Sequence, residues 1–183
     1  AGLSGLGGIL RTGCAFGDFN NDGFIDLYLP NTGHQEENKM FFQDSSHVFN
    51  DVSTLSGTGD SLRYTFHGVL IDYNQDGWID IYLANDVYDG NTLFKNNGDS
   101  TFTDVSIQTG AYQELDAMGL AVGDFDNDLD LDIHVTDKID SKLLELTSNG
   151  TFNEVGTQRG VDFENGFGWG NNFFDADLDG DED

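Results

Sequence analysis

An acidic segment of nine residues that occurs four times along the chain is the strongest constraint on the fold. The copies begin at residues 18, 72, 124 and 175, so their spacings are 54, 52 and 51 residues. Apolar segments recur in register between them, at 38–42, 91–95 and 141–145 and again at 49–52, 102–105 and 152–155. Self-similarity at a fixed period of this length is typical of a supersecondary unit repeated in tandem. The chain therefore holds three whole repeats of about 52 residues and part of a fourth.

Each repeat is predicted to form four short β-strands. The first leads into the acidic segment and is rich in Gly and Ala, which within strands mark the close approach of a neighbouring chain segment. The second leaves it and is apolar on both faces, as expected for a sheet covered on both sides. The predicted first strands span 11–19, 64–73, 117–125 and 166–174, and the second strands span 25–29, 79–83 and 131–135. The third and fourth strands are joined by turns such as Asn97-Gly98.

The predicted fold class is all-β, and the architecture is a β-propeller of four-stranded antiparallel blades. Four strands within about 40–50 residues are typical of a propeller blade, and no helical pattern separates the strands as a parallel sheet requires. We predict one domain over 1–183, with blades at 11–60, 61–112 and 113–162 and a partial blade at 163–183. A β-sandwich array is the alternative, and it explains the small residues of the first strand less well.

The four acidic segments, here called loops 1 to 4, carry the pattern of a metal-binding loop. Oxygen-bearing side chains occupy positions 1, 3, 5 and 9, and position 7 is placed to offer its backbone carbonyl. About six oxygens at about 2.3–2.6 Å are typical of Ca²⁺, whereas Mg²⁺ keeps more of its water. The predicted metal ligands are Asp18, Asn20, Asp22, Phe24 and Asp26; Asp72, Asn74, Asp76, Trp78 and Asp80; Asp124, Asp126, Asp128, Asp130 and Asp132; and Asp175, Asp177, Asp179, Asp181 and Asp183. We predict up to four bound Ca²⁺.

Two other kinds of loop could account for part of this pattern. An EF-hand requires Glu at position 12, but Leu29, Leu83 and Val135 stand there. Asp, Asn and Gly are also common in ordinary turns, yet turn formation does not require an acid at positions 1, 5 and 9 in every copy. Loop 3 departs from the pattern because Leu129 replaces Gly at position 6, where a left-handed backbone costs roughly 1–2 kcal/mol. We expect loop 3 to bind most weakly or to bend differently.

Composition narrows the classes of function. The formal charge is −27, from 34 Asp+Glu against 7 Lys+Arg, which excludes a basic surface for nucleic acid. Four Ca²⁺ would bring this charge to −19. No run of 18 apolar residues is present, so no membrane-spanning segment is predicted. The single cysteine, Cys14, excludes an internal disulfide and is predicted to be a small core residue.

The loops and the segments around them resemble the FG-GAP or VCBS-type repeat, found in the propellers of integrin α-subunits and of many bacterial extracellular proteins. The resemblance rests on the four loops, on the preceding Phe16-Gly17 and Val122-Gly123, and on residues 91–105, which resemble cartilage-acidic-protein-like sequences. It implies a calcium loop between the first two strands of each blade and a closed propeller of about seven blades. We therefore expect this chain to be a fragment of a longer one. No Gly-Ala-Pro follows the second strand, so integrin-like ligand binding is not carried over.

The favoured function is a calcium-stabilised binding or adhesion scaffold, extracellular, at the cell surface or periplasmic, with a protein or glycan ligand. The alternative is part of a propeller-fold polysaccharide lyase or hydrolase. Catalysis is disfavoured because nearly every conspicuous carboxylate already has a ligand position. His134 occupies the strand position of Tyr28 and Tyr82 in the other repeats, so it is predicted to be an ordinary strand residue.

Overall fold

The computed structural model describes residues 13–33, 36–87, 89–161, 166–180 and 182, and within them the chain forms three four-stranded antiparallel sheets. Each sheet corresponds to one whole repeat, and its strand order follows the chain. The first sheet holds β1 (Ala15–Gly17), β2 (Asp26–Leu29), β3 (Lys39–Gln43) and β4 (Phe49–Asp51). The second holds β5 (Thr65–Ile71), β6 (Asp80–Asn85), β7 (Thr92–Asn96) and β8 (Phe102–Asp104). The third holds β9 (Gly119–Gly123), β10 (Asp132–Thr136), β11 (Lys142–Leu146) and β12 (Phe152–Glu154).

The second strand of each sheet is its most buried element. Every residue of β2 and β6 is buried, as is every residue of β10 except the half-buried His134. These strands pair with the first strand on one side and the third on the other, and both faces are covered. The prediction that these strands are covered on both faces is confirmed, but they begin at Asp26, Asp80 and Asp132, one residue later than predicted, and Ile25 and Leu131 are exposed.

Two apolar cores fill the spaces between successive sheets. One joins the first sheet to the second, and the other joins the second to the third. In both interfaces the aromatic ring at loop position 2 contacts a phenylalanine ring in the fourth strand of the next sheet. Phe19 meets Phe102 with ring centroids 6.3 Å apart, and Tyr73 meets Phe152 at the same centroid distance. The first strands β1, β5 and β9 are neighbours, as expected for propeller blades, whereas blade number and closure stay predictions.

The small residues of the first strands allow this close approach. A Cβ on Gly17 would lie 2.8 Å from Leu70 Cδ1 of the second sheet. A Cβ on Gly119 would overlap the carbonyl oxygen of Trp169. A larger side chain at Gly119 would therefore push the neighbouring segment away, whereas one at Gly17 would require the Leu70 side chain to move.

In the described part of the chain, three helices of four residues, which the sequence pattern did not predict, follow the sheets. They are α1 (Ser53–Ser56), α2 (Ser106–Thr109) and α3 (Gly156–Arg159), and each begins right after the fourth strand and one intervening valine. Each ends at a glycine with left-handed φ of 75–76°, a C-terminal position that glycine occupies without strain. A short 3₁₀ turn, Asp60–Leu62, follows the first of them.

Two predictions about the edges of the array are wrong. Residues 166–174 were predicted to form a first strand, but they are not a strand, because no second strand stands beside them in the described chain to complete the ladder. Cys14 is exposed. It shares its face of the sheet with the exposed Phe16, because side chains alternate along a strand, and the opposite face packs on the second sheet. No helix in the described ranges is long and apolar enough to cross a membrane.

Candidate metal sites

All four loops make the same double left-handed turn. Position 4 has φ of 54° to 64°, at Asn21, Gln75, Asn127 and Leu178. Position 6 has φ of 74° to 102°, at Gly23, Gly77, Leu129 and Gly180. Leu129 thus adopts the glycine conformation, and the expectation that loop 3 bends differently is wrong. Its side chain is 85% exposed and is therefore not hindered by neighbouring residues. The only cost is the strain of a left-handed backbone at a residue that has a Cβ.

The carboxylate at position 1 holds the turn together. It accepts hydrogen bonds from the backbone N–H groups of positions 5 and 6 in each loop, at 2.8–3.1 Å. The residues in this role are Asp18, Asp72, Asp124 and Asp175. These bonds stabilise a negative charge at the loop centre before any cation arrives.

Positions 1, 3 and 5 converge on one point. In loop 3, carboxylate oxygens of Asp124, Asp126 and Asp128 all lie within 4.8 Å of one another. Loop 4 brings Asp175, Asp177 and Asp179 together in the same way. In loops 1 and 2 an asparagine at position 3 donates to the position 5 carboxylate, at 3.0 and 2.9 Å.

Loop 3 also holds two polar atoms without a partner. Oδ1 of Asp126 and Oδ1 of Asp130 are buried and accept no hydrogen bond. Burial, followed by repulsion from neighbouring aspartates, raises the pKa of both carboxyls, to about 6 for Asp130. The crowded Asp126 oxygen, at a predicted ligand position, fits a hard divalent cation, whereas the Asp130 carboxyl is not a predicted ligand because position 7 offers its carbonyl.

The carboxylate at position 9 has a different environment. Asp26, Asp80 and Asp132 are the first residues of their second strands and are fully buried. Each accepts a backbone N–H from loop position 2 at 3.0–3.3 Å and another from the end of the third strand at 2.7–2.8 Å. Burial raises their pKa values, to about 6 for Asp26 and about 7 for Asp80 and Asp132. Position 9 therefore ties the loop to the third strand, a structural role that the motif did not reveal.

Basic side chains next to loops 2 and 3 were also missed, because they come from distant positions in the sequence. Lys95 Nζ lies 3.6 Å from Asp76 in loop 2. Arg159 Nη2 lies 3.9 Å from Asp126 in loop 3, and its guanidinium carbon lies 5.1 Å from the centre of the Phe125 ring. These cations partly neutralise the loops. The remaining predicted ligands Asp181 and Asp183 lie outside the described residues.

Side chains at position 4 link neighbouring loops. Asn21 Nδ2 of loop 1 donates to the Gly77 carbonyl of loop 2 at 3.2 Å. Gln75 Nε2 of loop 2 donates to the Leu129 carbonyl of loop 3, also at 3.2 Å. In both cases the acceptor is position 6 of the next repeat.

Sheets and loops together define a class of tandem β-repeat protein, in which each four-stranded antiparallel sheet carries an acidic loop between its first two strands. Residues 72–135 match the family described as FG-GAP-like repeat. The matched segment runs from the first residue of loop 2 into β10 and includes loop 3. Comparison with curated proteins gives no match.

Proposed function

We propose that the chain is a calcium-binding β-propeller module that serves as an extracellular, cell-surface or periplasmic scaffold for a protein or glycan ligand. Calcium in this proposal is structural, one ion per loop, with ligands from positions 1, 3, 5 and 9 and the carbonyl of position 7. Binding rather than catalysis is proposed for the assembled surface.

The convergence of positions 1, 3 and 5 carries the proposal. Three carboxylates within 4.8 Å repel one another, and this crowding recurs in loops 3 and 4 of a chain with formal charge −27. A divalent cation removes the repulsion and couples metal binding to folding. The donor set contains oxygen alone, which favours Ca²⁺ over softer metals.

The histidines support a non-catalytic role. His67 Nδ1 accepts the backbone N–H of Leu120 at 3.2 Å across the interface between sheets. His134 Nδ1 lies 2.9 Å from Asn171 Nδ2, where Tyr28 and Tyr82 use their hydroxyls to bond the segment that follows their own sheets. His67 and Nδ1 of His134 are thus engaged between neighbouring segments, while Nε2 of His134 is buried without a hydrogen-bond partner.

Calcium titration by calorimetry, together with thermal unfolding in Ca²⁺, Mg²⁺ and chelator, tests the proposal. A ligand present at about 100 times its dissociation constant adds about 2.7 kcal/mol for each site that binds only the folded chain. We therefore expect chelator to lower the melting temperature by many degrees and Mg²⁺ to restore little of it. Asp128→Asn should reduce this dependence, whereas the matched control Asp140→Asn, outside the loops, should not. Equal melting temperatures with and without Ca²⁺ would overturn the proposal.

A further inference from the structure

The side chain at loop position 7 covers the hairpin between the third and fourth strands in the first two repeats. The Phe24 ring packs against His47 with centroids 6.1 Å apart. Trp78 lies directly over Gly98, where a Cβ would come within 2.9 Å of the indole. The third repeat has Asp130 at this position, and its hairpin, residues 147–150, has no aromatic cover from loop 3.

A cleft of about 560 Å³ lies at this place, between loops 2 and 3 and the uncovered hairpin. Polar groups of Asn74, Ser148 and Asn149 line it together with Asp130. Tyr73 and Leu129 add apolar surface. A volume of this size, with mixed apolar and polar walls, is within the range of small-ligand sites.

The residues that line the cleft indicate which class of ligand it can bind. Asp128 and Asp130 line the cleft, and ionised carboxylates only accept hydrogen bonds, so a ligand that donates hydrogen bonds matches them. The charges of these two carboxylates also repel anions. The space corresponds to one that a flat aromatic ring occupies in the other repeats, so a ligand with a compact ring, apolar faces and hydroxyl donors at its edge matches it.

We propose that this cleft binds a neutral saccharide, with a sugar ring in the position that Phe24 and Trp78 fill in the first two repeats. A ring hydroxyl donates to the Asp130 carboxylate, and the Ser148 hydroxyl and the Asn149 amide bond the remaining hydroxyls. The inference rests on the proposed role of the chain as a binding scaffold, and it assigns the ligand class and the place.

An array of neutral and acidic saccharides, followed by calorimetry with the neutral saccharides that bind, tests the inference on the full chain in saturating Ca²⁺. Asp130→Trp restores the aromatic cover of repeat two and should weaken binding of the neutral saccharide by at least about tenfold. Glu114→Trp, an exposed carboxylate on the connection between the second and third sheets, is the matched control and should leave affinity unchanged. Ser148→Phe blocks the cleft from the hairpin and should repeat the loss if Asp130→Trp fails to fold.

Two results would refute saccharide binding in the cleft. The first is that the wild-type chain binds no neutral saccharide, and the second is that a folded blocking variant binds the saccharide with unchanged affinity. Calcium binding is measured on the same samples, because position 7 is proposed to offer only its carbonyl and Asp130→Trp should keep the metal. Calcium binding without saccharide binding refutes the cleft alone. If the chain binds no calcium but binds a saccharide, and the blocking variants lose that binding, the cleft is supported and the calcium role is refuted.

Discussion

Replacing Asp80 and Asp76 by alanine, one at a time, separates the structural role of position 9 from metal binding. Both carboxylates belong to loop 2, and both are predicted ligands. Asp80 is fully buried and accepts the backbone N–H groups of Tyr73 at 3.3 Å and Asn96 at 2.7 Å. Asp76 is exposed, accepts the backbone N–H of Trp78 at 3.0 Å and the side-chain amide of Asn74 at 2.9 Å, and pairs with Lys95.

The expected loss follows from these contacts. Asp80→Ala leaves two buried N–H groups without an acceptor, at about 1–3 kcal/mol each, or roughly 2–6 kcal/mol together. At pH 5 the folded carboxyl is protonated, because burial raises its pKa from 3.8 to about 7. In the unfolded chain at pH 5 the carboxyl is ionised, and this ionisation favours unfolding by about 1.6 kcal/mol. Asp80→Ala removes this contribution, which offsets part of the loss of stability. The net destabilisation is therefore roughly 1–4 kcal/mol, against about 0.5 kcal/mol for the exposed Asp76.

Urea unfolding of metal-free protein at pH 5 measures both values, and calcium calorimetry at pH 7 measures the ligand role. Asp80→Asn keeps one acceptor oxygen and should fall between the wild type and Asp80→Ala. Both alanine variants should lose calcium affinity in loop 2. Equal destabilisation by Asp76→Ala and Asp80→Ala in the absence of metal would refute the structural role assigned to position 9.

Two further predictions follow from the loops. Leu129→Gly removes about 1–2 kcal/mol of backbone strain and adds about 0.5–1 kcal/mol of chain entropy cost, so urea unfolding should show a net gain of roughly 0.5–1 kcal/mol; a loss would contradict the strain. Metal-free protein should become less stable as the pH rises from about 4 to about 7, because Asp26, Asp80 and Asp132 keep their protons in the fold with pKa values of about 6, 7 and 7, above the ordinary 3.8. In saturating Ca²⁺ the trend should reverse, since protons compete with the metal; thermal unfolding across pH with and without Ca²⁺ checks both signs.

The repeat length and the strand positions were predictable because four copies of one pattern specify the same local structure. At Leu129 the cost of a left-handed backbone suggested a different bend, but the turn shared with the other loops is kept. A single short strand is too short for a periodic pattern to identify it. Agreement among several copies identifies it instead.

Other features depend on contacts that no local pattern records. Helices of four residues, such as Ser53–Ser56, are too short to show a helical period. Their visible signal is local: Asp51 accepts the backbone N–H of Ser53 at 2.9 Å, and Gly57 ends the turn. The buried state of Asp80 depends on the N–H of Asn96, and the cleft beside Asp130 depends on an adjacent repeat. Both require the packed structure.

The amide links between loops give the array a direction and a rule for growth. Donor and acceptor come from positions 4 and 6 of the same motif, as in Asn21 with Gly77 and Gln75 with Leu129. A carbonyl acceptor belongs to the backbone, so it accepts the link whatever side chain stands there, glycine or leucine. A copy with an amide at position 4 can therefore donate to any copy that follows it, whereas loop 4 has Leu178 at that position and no amide to donate. Duplication of a repeat with an amide at position 4 thus carries its own joint with it.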